Sequence, residues 1–249
     1  MKYAILGDIH GNLEALQAVL AVASELGVTK FACIGDIVGY NANPKECLDL
    51  LRSLGDDLIG VVKGNHDEYV SNGKETLGFN PLAAAAVEWT RKQLDPEDME
   101  WLHNLPEKKN CVLPGRGRFQ LVHGTLDNPS SWGYIFDRFS AETCFQYQIF
   151  SVCFIGHTHI PLAFEKTDTT IAGGFYGGMQ IEQNRKYLIN VGSVGQPRDG
   201  NNMAAFVVFS PEESHVQLYR VEYDIATTQQ KIIDAGLPRR LAERLAVGR

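Results

Sequence analysis

Along the first third of the chain, apolar and polar positions alternate in blocks. A short apolar run ends in a Gly-polar turn, and a stretch with helical spacing follows. Tyr3–Leu6 is such a run, closed by Gly7-Asp8. From Asn12 to Leu26 the residues Leu13, Leu16, Val19, Leu20 and Ala23 share one helical face, and Gly27 stops the helix. Lys30–Ile34 is the next strand, before Gly35-Asp36, and Pro44–Leu54 the next helix, with proline at a first-turn position. Leu58–Val62 is a third strand, before Gly64-Asn65-His66-Asp67. Strand and helix in alternation predict parallel βαβ units.

From Phe79 to Pro106 the pattern is helical throughout. Pro81–Leu94 is alanine-rich, and Asp95 as N-cap with Pro96 at the first helical position starts a second helix. This predicts an inserted helical pair, a small cap, at about 79–106. The second half reads mostly as strands: Phe119–Val122, Val152–Ile155, Leu162–Phe164, Tyr187–Val191, Ala204–Phe209 and Val216–Tyr223. Ser140–Phe150, Ile225–Ala235 and Leu241–Ala246 read as helices, and Gly173–Gly178 as a mobile hairpin tip near the site. The sequence has no internal repeat and no dividing linker. A single α/β domain over 1–249, carrying the helical insertion, is expected.

Composition narrows the class. Hydrophobic residues make up 44% and aromatics 10%, enough for a full core. No apolar run approaches the roughly 18 residues a spanning helix needs, so no membrane partner is expected. The net charge is −7. Without a long basic run, such a chain is not expected to grip duplex DNA through its phosphates, although it can hold one phosphate in a local positive site. The start lacks the apolar region of a secretory signal. Cys33, Cys47, Cys111, Cys144 and Cys153 are scattered, with no C-x-x-C pair. Together these predict a reduced, cytoplasmic setting.

The unusual residues sit where strands end. Five junctions carry metal-capable side chains: Gly7-Asp8-Ile9-His10, Gly35-Asp36, Gly64-Asn65-His66-Asp67, His123-Gly124 and Gly156-His157-Thr158-His159. Of the seven histidines, only His103 and His215 lie outside this set. Loops at the carboxyl ends of strands in an α/β sheet converge on one crevice, so motifs far apart in sequence can meet there. Imidazoles with carboxylates suit a divalent transition metal: Mn, Fe, Zn, Ni or Co.

The segments GDIH, GD, GNHD, HG and GHTH, in this order, resemble the calcineurin-like metallophosphoesterase superfamily. The contexts GDIHGNLEAL, GDIVGYNANP and NVGSVGQPRD resemble its small prokaryotic phosphodiesterase and phosphatase branch. The resemblance implies two β-sheets packed face to face with helices outside, and a dinuclear site at the strand ends. Asp8, His10 and His159 would bind one metal, Asn65, His123 and His157 the other, and Asp36 would bridge them. Two divalent ions outweigh Asp8, Asp36 and a bridging hydroxide by about one positive charge, so an acidic protein still presents a local positive centre to phosphate. The implied chemistry is attack by that hydroxide on the phosphorus of a phosphodiester or nucleotide, with His66 assisting the leaving group and Asp67 orienting His66.

One departure matters. Similar protein Ser/Thr phosphatases carry an Asp-Arg pair shortly after the second Gly-Asp, where this chain has Gly39 and Tyr40. Arg198 is a candidate substitute phosphate contact, with a solvated loop arginine as the alternative. Asn65 is a second candidate substrate contact. Trp132, Tyr134, Phe136 and Phe139 are candidates for stacking on a nucleobase, or for packing a loop on the core. The expected substrate is a small phosphate ester or nucleotide. A phosphomonoesterase or protein phosphatase is the alternative enzyme, and a non-catalytic binding module of the same fold the alternative class.

Overall fold

In the computed structural model, residues 1–76, 78–113 and 117–249 are described. The chain runs β1 (Tyr3–Leu6), α1 (Leu13–Glu25), β2 (Lys30–Cys33), α2 (Pro44–Arg52), β3 (Leu58–Val61) and α3 (Asn65–Asn72). Then come α4 (Pro81–Arg91), α5 (Pro96–His103), β4 (Lys108–Val112), β5 (Arg118–Val122), α6 (Arg138–Tyr147) and β6 (Val152–Ile155). The rest is β7 (Leu162–Lys166), β8 (Ile171–Phe175), β9 (Gly178–Gln180), β10 (Lys186–Asn190), β11 (Ala204–Ser210), β12 (His215–Val221), α7 (Ile225–Asp234) and α8 (Arg239–Glu243), which runs into a 3-10 turn at Arg244–Val247.

Helix starts follow local chemistry. The Asn12 side chain accepts the Ala15 N–H, and Asn80 accepts those of Leu82 and Ala83. Asp95 and Asp98 form a reciprocal capping box on α5. Ala15, Leu16, Val19 and Ala23 form the buried stripe of α1.

The strands form two mixed sheets of six, in the orders β3-β2-β1-β11-β12-β9 and β4-β5-β6-β10-β7-β8. They pack face to face through Ile5, Ile34, Leu121, Ile189 and Val207, among others. At the centre, Phe119 of β5 meets Tyr3, Phe154 and Phe209 edge-on, tying β5 and β6 to β1 and β11. The helices α1 and α2 cover the outer face of the first sheet, and α6 covers that of the second. The expected helical pair is present. Val87 of α4 and Leu102 of α5 join the core on the outer face of the first sheet.

Several elements differ from expectation. α3 has no apolar stripe because its buried positions include Asn65, His66 and Asp67, so its periodicity is carried by polar groups. β4 is missed because only Cys111 of its five residues is buried. Gly173–Gly178 is not a hairpin tip. β8 pairs with β7 in the second sheet, β9 pairs with β12 in the first, and the segment crosses between sheets. α6 spans Arg138–Tyr147, starting and ending earlier than expected, because the Asp137 side chain caps it.

β1, β2 and β3 are mutually parallel, as are β5, β6 and β10, so the carboxyl ends within each set fall on one edge. Truncating the central aromatic, Phe119→Ala, is expected to cost about 3–5 kcal/mol of unfolding free energy. Urea denaturation measures it, and a loss below about 1 kcal/mol would show that the sheets do not depend on this ring.

Candidate metal centre and cleft

The loops after these strands are stitched together by main-chain bonds. His10 N–H donates to Asp36 O (2.8 Å), Gly156 N–H to His123 O (2.9 Å), and Gly195 N–H to Asp8 O (2.9 Å). Ser193 Oγ donates to the same Asp8 carbonyl (2.8 Å). This network holds unusual backbone. Asp8, His10, Asp36, His157 and His159 all have φ between 50° and 67°, a left-handed conformation that side chains other than glycine seldom adopt. Such strain costs on the order of 1–3 kcal/mol per residue and persists only where the surroundings enforce it.

The expected residues meet. Asp8, His10, Asp36 and His159 form one group of close donor atoms, and Asp36, His123 and His157 a second, so Asp36 belongs to both. Asp36 Oδ2 lies 3.5 Å from His10 Nε2 and 3.4 Å from His123 Nε2. Asp8 Oδ1 lies 3.2 Å from His159 Nε2. Every member of both groups is buried.

Three imidazoles are aimed by main-chain carbonyls. His10 Nδ1 faces Val38 O (3.1 Å), His123 Nδ1 faces Ile34 O (2.9 Å), and His159 Nδ1 faces Gln196 O (2.6 Å). A proton on each Nδ1 leaves the Nε2 lone pair turned inward, the arrangement typical of metal-ligating histidines. The inward nitrogens then face one another: His10 Nε2 and His159 Nε2 are 3.1 Å apart, as are His123 Nε2 and His157 Nδ1. Each facing pair is held either by a proton shared as an N–H···N hydrogen bond or by a metal ion that takes both lone pairs. Ligands at about 2.0–2.1 Å and right angles on one ion stand about 3 Å apart. The Oδ1 atoms of Asp8 and Asn65 are buried with no hydrogen-bond partner, as oxygen ligands would be. The donor set fits divalent transition metals.

Electrostatics keep three of the four imidazoles neutral, and His123 is the exception. Burial holds His10 and His159 below the usual imidazole range, and burial with the neighbouring His123 charge takes His157 down to about 3. For His123, burial is outweighed by the charge and hydrogen bond of Asp36, which push it up to about 9. Burial acts against ionisation of Asp36 and Asp8, but His123 and His159 respectively hold their carboxyls below the usual range.

His66 lies beside the group. Its ring meets His10 (4.8 Å), Tyr40 (4.4 Å) and Phe79 (5.3 Å), and burial takes it down to about 4. Its Nδ1 has no partner. Contrary to expectation, the Asp67 carboxylate makes no hydrogen bond to this ring. Asp67 Oδ1 accepts the N–H groups of Ile37 (2.9 Å) and Val38 (3.3 Å), and Oδ2 accepts that of Gly64 (3.0 Å). Asp67 therefore fastens the loop after β2 to the start of α3. His66 is instead seated on Gly39, where a Cβ would overlap its Nδ1.

A cavity of about 280 Å³ opens from Asn65, His66 and His157, walled by Tyr40, Tyr69, Phe79, Trp132 and Tyr134. Tyr134 stacks on His157 at 4.0 Å. Of the four aromatic candidates, Trp132 and Tyr134 line this cavity, while Phe136 and Phe139 lie outside its wall. Arg198 is half-buried, bonds the Gln196 side-chain oxygen (2.8 Å), and its charge opposes protonation of His10, His66 and His159. His103 and His215 lie elsewhere, at the end of α5 and the start of β12. Tyr69, Phe79 and Gln196 were not singled out from the sequence.

Fold and site define a hydrolase of phosphate esters. The model of the calcineurin-like phosphoesterase superfamily domain matches residues 1–214, and the chain belongs to that superfamily. It is 40% identical over 247 residues to an uncharacterized protein of Methanocaldococcus jannaschii, covering 99% of this chain and 98% of that one. It superimposes on the metallophosphoesterase from Sphaerobacter thermophilus with a TM-score of 0.85 and 37% identity, covering 100% and 99% of the two chains. A shorter match, 33% over 106 residues and 37% of each chain, is to the symmetrical bis(5'-nucleosyl)-tetraphosphatase of Sodalis glossinidius.

Gly39 has φ +93 and its Cβ position is occupied, so Gly39→Ala is expected to cost about 1–3 kcal/mol. The same change should shift the His66 imidazole resonances in NMR spectra. Unchanged stability together with unmoved resonances would refute the seating of His66 on this glycine.

Proposed function

We propose that the protein is a metal-dependent phosphoesterase that holds two divalent transition-metal ions and hydrolyses a phosphodiester or nucleotide. The observation that carries this is the facing of inward imidazole nitrogens at 3.1 Å in two separate pairs. Asp8, His10 and His159 would hold one ion, and Asn65, His123 and His157 the other, with Asp36 toward both. The donor set is compatible with Mn, Fe, Zn, Ni or Co. When bound, such ions supply a nucleophilic water at neutral pH and neutralise charge on phosphoryl oxygens.

The chain's own residues do the remaining work. Asn65 offers an oxygen to a metal and keeps its amide N–H groups for a phosphoryl oxygen. His66, on the cavity wall, donates a ring N–H to the leaving oxygen. Asp67 keeps His66 in place through the backbone rather than through its ring. Arg198 meets anionic oxygens at the rim. The aromatic walls suit a nucleoside, in keeping with the name of the Sodalis relative, a bis(5'-nucleosyl)-tetraphosphatase. A phosphomonoesterase is the second enzyme reading, and rates on matched diesters and monoesters separate the two.

No helix of the described residues is long and apolar enough to cross a membrane. All five cysteines are buried and free, which supports a reduced, cytoplasmic setting. Val87 and Leu102 share a core with β1, α1 and α2, which supports one domain over 1–249.

Protein stripped of metal and reloaded with Mn is expected to hydrolyse a chromogenic diester, bis(p-nitrophenyl) phosphate, and metal-free protein is not. His66→Ala should lower kcat by about 10²–10⁴-fold while leaving metal content unchanged. Turnover that survives that substitution intact would remove His66 from the mechanism. Elemental analysis should find two ions per chain, and fewer in Asp36→Asn. An unaltered count in that variant would rule out Asp36 as a shared ligand.

A further inference from the structure

Arg198 and Arg244 come from distant parts of the chain and converge on one ring. Their guanidinium carbons lie 5.6 and 6.0 Å from the centroid of Tyr40, which also walls the cavity beside His66. Arg244 is fixed there by its neighbours. Leu241 and Leu245 are buried with Tyr40, Ala83 and Ala86 in the cluster that joins α4 to α7 and α8.

Among the described residues, neither arginine pairs with an Asp or Glu side chain. Each has an acidic neighbour in sequence, and each neighbour is engaged elsewhere: Asp199 pairs with Arg220, and Glu243 pairs with Arg239 (3.1 Å). The Arg198 side chain bonds only the neutral side-chain oxygen of Gln196, and Arg244 Nε donates to an oxygen of Arg249, the last residue, while its two terminal nitrogens bond no described residue. The Tyr40 hydroxyl makes no hydrogen bond within the described residues. Burial, with the charge of Arg198 next, lowers Arg244 to about 10, still protonated at neutral pH. In a chain of net charge −7, two half-buried guanidiniums drawn to one aromatic ring are a local concentration of positive charge. A second anion would relieve it, since guanidinium binds phosphate oxygens through paired N–H donors.

We infer that Arg198, Arg244 and Tyr40 form an accessory subsite for a second phosphate group, so that the preferred substrate carries one beyond the scissile ester. This rests on the phosphoesterase reading and names its substrate class. The second phosphate sits either in the same phosphate chain, as in a dinucleoside polyphosphate, or on the sugar of a nucleotide diester. Arg198 serves both the rim of the metal centre and the subsite. Arg244 serves the subsite alone.

Three substrates test this with Mn-loaded protein: the p-nitrophenyl diester of thymidine monophosphate, the same ester with a phosphate on its free sugar hydroxyl, and diadenosine tetraphosphate. Arg244→Gln is expected to raise KM for one of the last two about ten-fold more than for the first, and Arg244→Lys to restore part of it. Whichever substrate responds names the source of the phosphate. Equal changes in KM across all three overturn the subsite and leave the phosphoesterase reading standing. No turnover of any by the parent protein overturns the phosphoesterase reading. Calorimetric titration with inorganic pyrophosphate then decides the subsite alone: Arg244→Gln weakens binding several-fold if it exists and leaves it unchanged if it does not.

Discussion

The rest of the structure depends on holding like groups together against their repulsion. Four imidazoles and two carboxylates are buried within reach of one another, with nitrogens facing at 3.1 Å. Left to itself, a flexible chain would separate them. Here the opposing force is distributed over the strand ends. Main-chain carbonyls fix three rings, main-chain amides fix Asp67, and loops from both sheets bond across the site. The left-handed backbone at Asp8, His10, Asp36, His157 and His159 belongs to the same cost. The apolar packing between the sheets supplies what sustains it, which is why the aromatic centre around Phe119 lies in the sheets and not at the site.

The site was more legible in the sequence than parts of the fold, for a physical reason. Each ligand candidate sits directly after a strand, and the strands nearest the site are short, apolar and buried on both faces, as β1 and β6 are. Burial writes an apolar run, and the turn after it exposes the chemistry. Where that coupling fails, so does the reading. β4 and β8 lie at edges of the second sheet with most of their residues exposed, so no apolar run marks them. α3 is hidden by the opposite cause: its inward face is polar because it carries the site itself. The role of Asp67 could not be read from adjacency to His66. Neighbours in a helix point about 100° apart, and the Asp67 carboxylate turns to the amides of the β2 loop. Arg244 carried no signal at all, since its neighbourhood is set by how the last helices pack on α4.

Gly39 and Tyr40 show how one local change reorganises a cleft. The glycine removes a side chain and lets the His66 ring sit against the backbone. The tyrosine then supplies a wall for His66 and His10 and a platform for two guanidiniums. A protein phosphatase with an Asp-Arg pair there would place charge directly beside its histidine. This chain places an aromatic ring beside His66 and sets the positive charge behind it, on residues brought in by Pro197-Arg198 and by the C-terminal turn.

That arrangement also accounts for how a chain of net charge −7 can serve an anion. The acidic residues next to the two arginines in sequence are occupied in ion pairs, Asp199 with Arg220 and Glu243 with Arg239, so their fields are largely cancelled close by. Arg198 and Arg244, paired with no Asp or Glu side chain among the described residues, lie against Tyr40 of the cavity wall, in a partly buried setting where charge is screened less than on the open surface. Overall charge sets what the protein repels at a distance. The local imbalance, created by which carboxylates are already paired, sets what it can hold once contact is made. Because Tyr40 is packed against both the cap helix α4 and the C-terminal turn, a change in either element would move the platform.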